Sequence, residues 1–149
     1  MTKVQDMFSL KGKVAWITGA SYGIGFAIAG VYAQAGAKIA FNDINQELVD
    51  KGLDAYKQAG IDAKGYVCDV TDEDAVIRTN ERIVKDLGPV DILVNNAGII
   101  KRIPMHEMAA SDWRKVIDID LTAPFIVSKA VLPSMMERKS GKIINICSM

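Results

Sequence analysis

Eight residues near the start of the chain combine glycine spacing with a strand-to-helix change that suits phosphate binding. They read Thr-Gly-Ala-Ser-Tyr-Gly-Ile-Gly from Thr18 to Gly25, after the apolar run 14–17 and before a helix-like stretch at 26–32. A strand, a glycine-rich turn and a helix in this order bring free backbone N–H groups and the positive end of a helix to one point. The pattern predicts a Rossmann-type site for the pyrophosphate of a dinucleotide.

Each glycine of this segment has a task that a Cβ would obstruct. Gly19 allows a tight turn, Gly23 allows close approach of a phosphate, and Gly25 allows a helix to pack closely on a strand. The alternative is a turn that only needs positive φ and binds nothing. The predicted cofactor-binding residues of the loop are Gly19, Ser21, Tyr22, Gly23, Ile24 and Gly25.

An acidic residue follows the next apolar run, about 20 residues past the glycines. Asp43, after the run 38–41, can accept hydrogen bonds from the ribose hydroxyls of the adenosine. It favours NAD over NADP, because a 2′-phosphate would face a like charge. Asn42 leaves NADP open, since it could let the phosphate sit aside. Asp43 could instead be the N-cap of a helix that begins near Gln46.

Composition excludes several classes of function. The 149 residues suit one domain with a hydrophobic core, and 18 basic residues balance 18 acidic ones, so no net charge favours nucleic acid or an anionic membrane. The uncharged stretches are shorter than the roughly 20 residues that span a bilayer, and we expect a cytoplasmic protein. Cys68 and Cys147 lack metal-type spacing, so no metal site is predicted.

Apolar runs alternate with longer helical patterns along the whole chain, which is typical of a parallel sheet covered by crossover helices. We therefore predict an α/β fold with a Rossmann-type, doubly wound parallel sheet in the order 3-2-1-4-5. We expect residues 1–149 to form this single domain, with the sheet incomplete on its C-terminal side. The predicted strands are 13–18, 38–42, 63–67, 92–95 and 142–147.

Four helices are expected between these strands. The first two run over 23–36 and 46–60, each closed by a glycine, and the third runs to about Leu87 with Thr71 as its side-chain cap. The fourth pattern covers 111–138 and contains Pro124 and Pro133. Because proline removes an intrahelical hydrogen bond, this helix should be kinked or broken.

A second motif, Asn95-Asn96-Ala97-Gly98, directly follows the run 92–94. Together with the glycine motif it resembles the short-chain dehydrogenase/reductase family, over essentially the whole chain. The resemblance implies that Asn95, Ala97 and Gly98 lie against the adenosine and nicotinamide riboses. It also implies that the pair Asp69-Val70 meets the adenine.

Chemistry in the family rests on Asn, Ser, Tyr and Lys. The resemblance assigns the Ser role, a hydrogen bond to the reacting oxygen, to Ser148, which would be both catalytic and substrate-binding. The Asn position, which anchors a proton-relay water, is Asp120 in this chain. An ionised carboxylate accepts hydrogen bonds but donates none, so a relay through Asp120 would need rearrangement.

The Tyr and Lys of the family form a Tyr-x-x-x-Lys pair about a dozen residues after the Ser, one helical turn apart. No such pair follows a strand in these 149 residues. We expect the chain to be the N-terminal part of a longer enzyme, or a truncated reading frame, and to be inactive by itself. The full-length form is expected to be a homodimer or homotetramer. The alternatives are a non-catalytic nucleotide-binding module and an unstable fragment.

Residues 41–47, 99–102, 118–120 and 144–149 resemble family members that act on sugar acids. The resemblance implies NAD(P)-dependent hydride transfer between the nicotinamide and a secondary alcohol or ketone, with D-gluconate and 5-dehydro-D-gluconate as the small-molecule substrates. Arg102 follows the Asn-Asn-Ala-Gly turn, where its guanidinium could hold the carboxylate of a sugar acid. The alternative is that Lys101 and Arg102 are solvated surface residues.

Overall fold

The computed structural model describes residues 7–147, which form a five-stranded parallel sheet. The strand order is β3-β2-β1-β4-β5, and every neighbouring pair is parallel. Both the predicted fold class and the predicted order are confirmed. The strands are β1 Val14–Thr18, β2 Lys38–Asp43, β3 Ala63–Val67, β4 Ile92–Asn95 and β5 Lys142–Asn145.

In the part of the chain that the structure describes, five α-helices connect and cover the strands. They are α1 Gly23–Gln34, α2 Gln46–Gln58, α3 Glu73–Leu87, α4 Ala110–Ile117 and α5 Ala123–Glu137. Buried residues of α1 and α2 pack with one face of the sheet, and those of α3 and α5 pack with the other. All residues of β1 and β4 are buried, because both strands lie inside the sheet and are covered on both faces.

One predicted cap is wrong, and one alternative that the sequence left open does not hold. The N-cap of α2 is Asn45, whose side chain accepts a hydrogen bond from the Leu48 N–H, so Asp43 does not have the alternative role of capping this helix. The N-cap of α3 is Asp72, which accepts from the Ala75 N–H, and not Thr71. A carboxylate accepts such a bond as readily as a hydroxyl, so the spacing of the residues did not distinguish the two.

The predicted break in the long helix lies just before the first proline. Residues Asp118–Thr122 form a π-helical turn between α4 and α5, and the Ala123 N–H donates to the Asp118 carbonyl five residues back. Pro124 is the second residue of α5 and lies directly after the π-helical turn. Pro133 lies within α5 and does not end it. Strand β5 ends at Asn145, two residues earlier than predicted.

Asp91 joins several elements at the amino ends of the strands. Its Oδ2 accepts from the Val14 N–H at 3.0 Å, and its Oδ1 lies 2.9 Å from Arg138 Nη1 and 3.6 Å from Lys13 Nζ. Partial burial alone would raise the pKa of this carboxyl. The hydrogen bonds from Val14 and Arg138 and the two nearby cations outweigh burial, so the pKa of Asp91 lies below its usual value.

Among the helices that the structure describes, none has the length and apolar character required to cross a lipid bilayer.

Candidate functional site

A cleft of about 840 Å³ opens at the carboxyl ends of the strands. Its walls come from the loops after β1, β2, β3 and β4 and from one side of α4 and the π-helical turn. In open parallel sheets this edge is where ligands bind. Of the predicted site residues, those that line the cleft are Gly19, Tyr22, Gly23, Ile24, Asp43, Asp69, Val70, Ala97 and Gly98.

The start of α1 presents backbone donors at this cleft. Tyr22, the N-cap, makes no side-chain cap hydrogen bond, and the first turn contains no acidic residue. Gly23 has φ +65°, and a Cβ built on it would meet nothing within 4 Å, so the backbone borders open space. The N–H groups of the first turn are therefore free to receive an anion, which suits a pyrophosphate.

The loops after β1 and β4 are in direct backbone contact. A Cβ on Gly19 would lie 2.8 Å from the Ala97 Cα, and one on Gly25 would lie 2.5 Å from the Asn96 Nδ2. The close-packing task predicted for Gly25 therefore involves the second motif as well as the first. Any side chain at either glycine would push the two loops apart.

Asn96 and Thr18 hold these loops together, and sequence reasoning did not select either of them as a site residue. The Asn96 amide donates to the carbonyl oxygens of Thr18 and Gly19, each at 3.0 Å. The Thr18 Oγ1 accepts from the N–H groups of Asn96 and Ala97 at 3.0 and 2.9 Å. The signal was available, because each residue ends or follows a strand and β1 is adjacent to β4.

Asp43 ends β2 at the edge of the cleft. Its Oδ1 accepts from the Ile44 N–H at 2.9 Å, whereas its Oδ2 is buried and has no hydrogen-bond partner within the described residues. A buried acceptor without a partner is costly, so this oxygen fits a ligand that brings a hydroxyl donor. A ribose of a dinucleotide has such hydroxyls.

Asn42 has a different task from the one that the sequence left open. Its side chain is buried, accepts from Trp16 Nε1 at 2.9 Å and donates to the Cys68 carbonyl at 3.2 Å. Both ends of the amide are therefore committed to the fold. The Asn42 side chain cannot move to accommodate a 2′-phosphate without breaking these two hydrogen bonds.

The remaining loop residues divide into a buried and an exposed group. Ser21 is buried, and its Oγ has no hydrogen-bond partner within residues 7–147. Tyr22 and Ile24 are about two-thirds exposed and line the cleft, so they offer apolar surface next to the free N–H groups. Ser21 and Gly25 do not line the cleft.

The loop after β3 forms part of the cleft wall. Asp69 Oδ1 accepts from the N–H and the Oγ1 of Thr71, at 2.9 and 2.7 Å, which fixes the turn. Val70 is buried in the core, and Cys68 is buried beside it. Burial raises the pKa of the Cys68 thiol, which keeps it in the uncharged form at neutral pH.

Asn95 lies behind the cleft and does not line it. The side chain is buried, and its Nδ2 donates to the Asn145 Oδ1 at 2.8 Å and the Ser128 Oγ at 3.2 Å. It joins β4 to β5 and α5. The structure thus separates the two asparagines of the motif, because neighbouring residues of a strand end point to opposite sides.

Asp120 lies in the π-helical turn and supports the loop after β4. Its Oδ1 accepts from the Ile99 N–H at 2.9 Å, and a Cβ on Gly98 would lie 3.3 Å from the same oxygen. Asp120 does not line the cleft, but both loop residues that it touches do. Ser148, the other predicted catalytic residue, lies outside the described residues.

Arg102 is exposed on the same loop, without an ion pair to any described residue, and does not line the cleft. Its neighbour Lys101 is paired, with Nζ 3.1 Å from Asp112 Oδ1 at the start of α4. Helix α4 and the turn after it also contribute lining residues that the sequence did not indicate. These are Ser111, Lys115, Asp118 and Ile119.

Comparison with known proteins gives a consistent result. A family model described as short chain dehydrogenase matches residues 13–149. The 2-dehydro-3-deoxy-D-gluconate 5-dehydrogenase of Formosa agariphila is 49% identical over 145 residues, which cover 97% of this chain and 55% of that protein.

Two solved structures have the same architecture. The 2-keto-3-deoxy-D-gluconate dehydrogenase of Streptococcus agalactiae is 68% identical with a TM-score of 0.87, over 98% of this chain and 55% of that one. A gluconate 5-dehydrogenase of Burkholderia cenocepacia, solved with NADP and tartrate, is 38% identical with a TM-score of 0.89, over 98% and 57%. The chain therefore spans a little more than half of the length of these relatives.

Proposed function

This chain belongs to the short-chain dehydrogenase family, and on that basis we propose that the full-length protein is an NAD(P)-dependent oxidoreductase that acts on a sugar acid. The proposed reaction interconverts a secondary alcohol and a ketone, with D-gluconate and 5-dehydro-D-gluconate as the first candidates. The relatives named for 2-dehydro-3-deoxy-D-gluconate support the same class, a carboxylate joined to a polyol chain.

The proposal rests on two features of one cleft, the free N–H groups at Gly23 and the Asp43 Oδ2, which has no hydrogen-bond partner among residues 7–147. The first can receive a pyrophosphate and the second a ribose hydroxyl, and a dinucleotide has both. The nicotinamide, when bound, supplies the hydride chemistry. The residues of this chain bind and orient the cofactor, and Tyr22 and Ile24 cover part of its binding surface.

We propose that NAD is preferred to NADP. The carboxylate of Asp43 stands where a 2′-phosphate would add a like charge, which costs several kcal/mol unless a cation intervenes. The cation among the described lining residues is Lys115, and it belongs to α4 on the β4 side of the cleft. Asn42 is held in place by Trp16 and Cys68 and offers no relief.

On the substrate side, Ser148 is proposed to hydrogen-bond the reacting oxygen and Arg102 to hold the carboxylate. Arg102 is suited to this because a guanidinium can form two parallel hydrogen bonds with a carboxylate. Asp120 is proposed to keep the loop after β4 in position through the Ile99 N–H. None of the 149 residues forms the Tyr-x-x-x-Lys pair of the family after a strand, so proton transfer is assigned to no residue of this chain.

Calorimetric titration of the full-length protein with NAD⁺ and NADP⁺ tests this proposal. Asp43→Asn should weaken NAD⁺ binding about tenfold, because a charge-assisted hydrogen bond contributes about 1.5 to 3 kcal/mol. The same variant should reduce the difference in affinity between NAD⁺ and NADP⁺. Asp62→Asn, an exposed change at the start of β3 and outside the cleft, is the matched control and should leave both affinities unchanged. No affinity for either cofactor would refute the proposal.

A turnover assay of the full-length protein distinguishes an oxidoreductase from a non-catalytic nucleotide-binding module. Cofactor reduction in the presence of D-gluconate supports the oxidoreductase. Cofactor binding without turnover on any sugar acid would favour a nucleotide-binding module without catalytic activity.

A further inference from the structure

We propose that the ion pair between Lys101 and Asp112 is a positioning device that sets how strongly the protein prefers an anionic substrate. The inference rests on the proposed function of the cleft, and it deepens the role given to Arg102. Lys101 Nζ lies 3.1 Å from Asp112 Oδ1, and both side chains are about one-third exposed. The pair joins the loop after β4 to the first turn of α4.

The loop that carries Arg102 is fastened at two points by carboxylates from the same helical region. Asp120 holds the Ile99 N–H at 2.9 Å, and Asp112 holds the Lys101 ammonium. Arg102 comes directly after the second point and is exposed without an ion pair to any described residue. Because the Lys101 ammonium is paired with Asp112, it does not compete with Arg102 for an anionic ligand. The same ion pair restricts the backbone from which Arg102 extends.

The physical reason is the entropy of the loop. A guanidinium that must meet a carboxylate from a freely moving loop loses conformational freedom on binding, whereas a loop that is already restrained loses less. Asp112 is suited to the role because its own position is fixed by α4. The gain is modest, since an exposed ion pair contributes little.

Asp112 also lies in the first turn of α4, where an acidic residue favours the helix whether or not it has a partner. Lys101→Met and Asp112→Asn distinguish the two roles, because the first variant breaks the pair and leaves the acid at the helix start. Each single variant of the full-length protein should raise KM for D-gluconate roughly 2- to 5-fold with kcat unchanged. The double variant should be no worse than either single variant, as expected for one shared interaction.

The pair between Lys129 and Glu73 provides a matched control. Glu73 is also a first-turn acid that binds a lysine from another element, at 2.7 Å, but the pair joins α3 to α5 outside the cleft. Glu73→Gln should leave KM for D-gluconate unchanged. None of these variants should change KM for a neutral polyol or the dissociation constant of NAD⁺.

Three outcomes would overturn the inference. If Arg102→Ala raises KM for D-gluconate and the Lys101 and Asp112 variants do not, the positioning role is wrong while the proposed function stands. If Asp112→Asn alone has an effect, the helix start and not the ion pair is responsible. If none of Arg102→Ala, Lys101→Met and Asp112→Asn changes KM for D-gluconate, the carboxylate recognition in the proposed function is wrong, and so is the inference.

Discussion

Thr18 and Asn96 are joined by two hydrogen bonds of 3.0 Å, one from the Asn96 N–H to the Thr18 Oγ1 and one from the Asn96 amide to the Thr18 carbonyl. A third bond runs from the same amide to the Gly19 carbonyl. The two sequence motifs are thus one structural unit. The shape of the glycine loop depends on a side chain that lies almost 80 residues further along the chain.

Replacement of Asn96 by Asp should damage this unit without changing its size. The new carboxylate would face two carbonyl oxygens that have lost their donor, which costs about 1 to 3 kcal/mol of stability. Cofactor affinity should fall as well, because the glycine loop loses its support. Urea unfolding and calorimetric titration of the full-length protein measure the two effects. Asn45→Asp is the control, since an N-cap carboxylate accepts the Leu48 N–H equally well; equal behaviour of the two variants would contradict the prediction.

Gly23→Ala should weaken binding of NAD⁺ by about tenfold or more, or about 1.4 kcal/mol. The added methyl group would enter the open space beside the free N–H groups of α1. Gly60→Ala controls for backbone strain, because Gly60 also has a positive φ, +71°, and open surroundings but lies away from the cleft. Both variants should lose about 1 to 2 kcal/mol of stability. Only Gly23→Ala should change the dissociation constant, and unaltered binding in that variant would show that the loop does not contact the cofactor.

Asp91→Asn should destabilise the full-length protein by about 1 to 3 kcal/mol at neutral pH, because the charged hydrogen bonds to Val14 and Arg138 are weakened. The pKa of Asp91 is lowered in the folded state, so its contribution is present above the ordinary aspartate pKa and is lost as the pH falls through the lower, folded value. The stability difference between the two proteins should therefore shrink below about pH 4. Urea unfolding over a pH series checks this.

Glu47→Gln is the control for the pH-dependent loss of stability expected in Asp91→Asn. Its partner Lys51 lies one turn away on the exposed face of α2 and lowers the pKa of Glu47, but the pair is solvated. We expect no measurable pH-dependent change in stability from this variant. A pH dependence as large as that of Asp91→Asn would show that the hydrogen bonds of the partly buried Asp91 contribute no more than a solvated ion pair.

Arg102→Ala should raise KM for D-gluconate far more than KM for a neutral polyol. In the proposed function the Arg102 guanidinium, on the exposed loop after β4, would hold the carboxylate of D-gluconate, and a neutral polyol has no equivalent group. Steady-state kinetics of the full-length protein with both substrates give the comparison. KM for D-gluconate in Arg102→Lys should lie between the values of the unsubstituted protein and Arg102→Ala, because an ammonium keeps the charge but cannot form two parallel hydrogen bonds with the carboxylate. An equal effect of Arg102→Ala on both substrates would rule out carboxylate recognition.

The sheet could be predicted from local features of the chain. Runs such as those ending at Thr18 and Asn95 are continuous and apolar because their strands are buried on both faces, so they stand out from the helices between them. The same features misplaced the cap of α3, since Thr71 and Asp72 are adjacent and both can accept a backbone N–H. Neighbouring residues with equivalent chemistry cannot be separated without the backbone geometry.

By itself, the sequence determined the fold class and the position of the glycine loop, because strand burial and positive φ limit the residue types allowed at each place. The order of the strands followed from the Rossmann-type pattern. Only the tertiary structure assigned Asn95 to the interior and Asn96 to the glycine loop, left one Asp43 oxygen without a partner and placed Asp120 on the Ile99 amide. These relationships join residues far apart in the chain. They depend on which side chains and backbone groups meet when the strands and loops pack together. A local residue pattern does not specify these contacts.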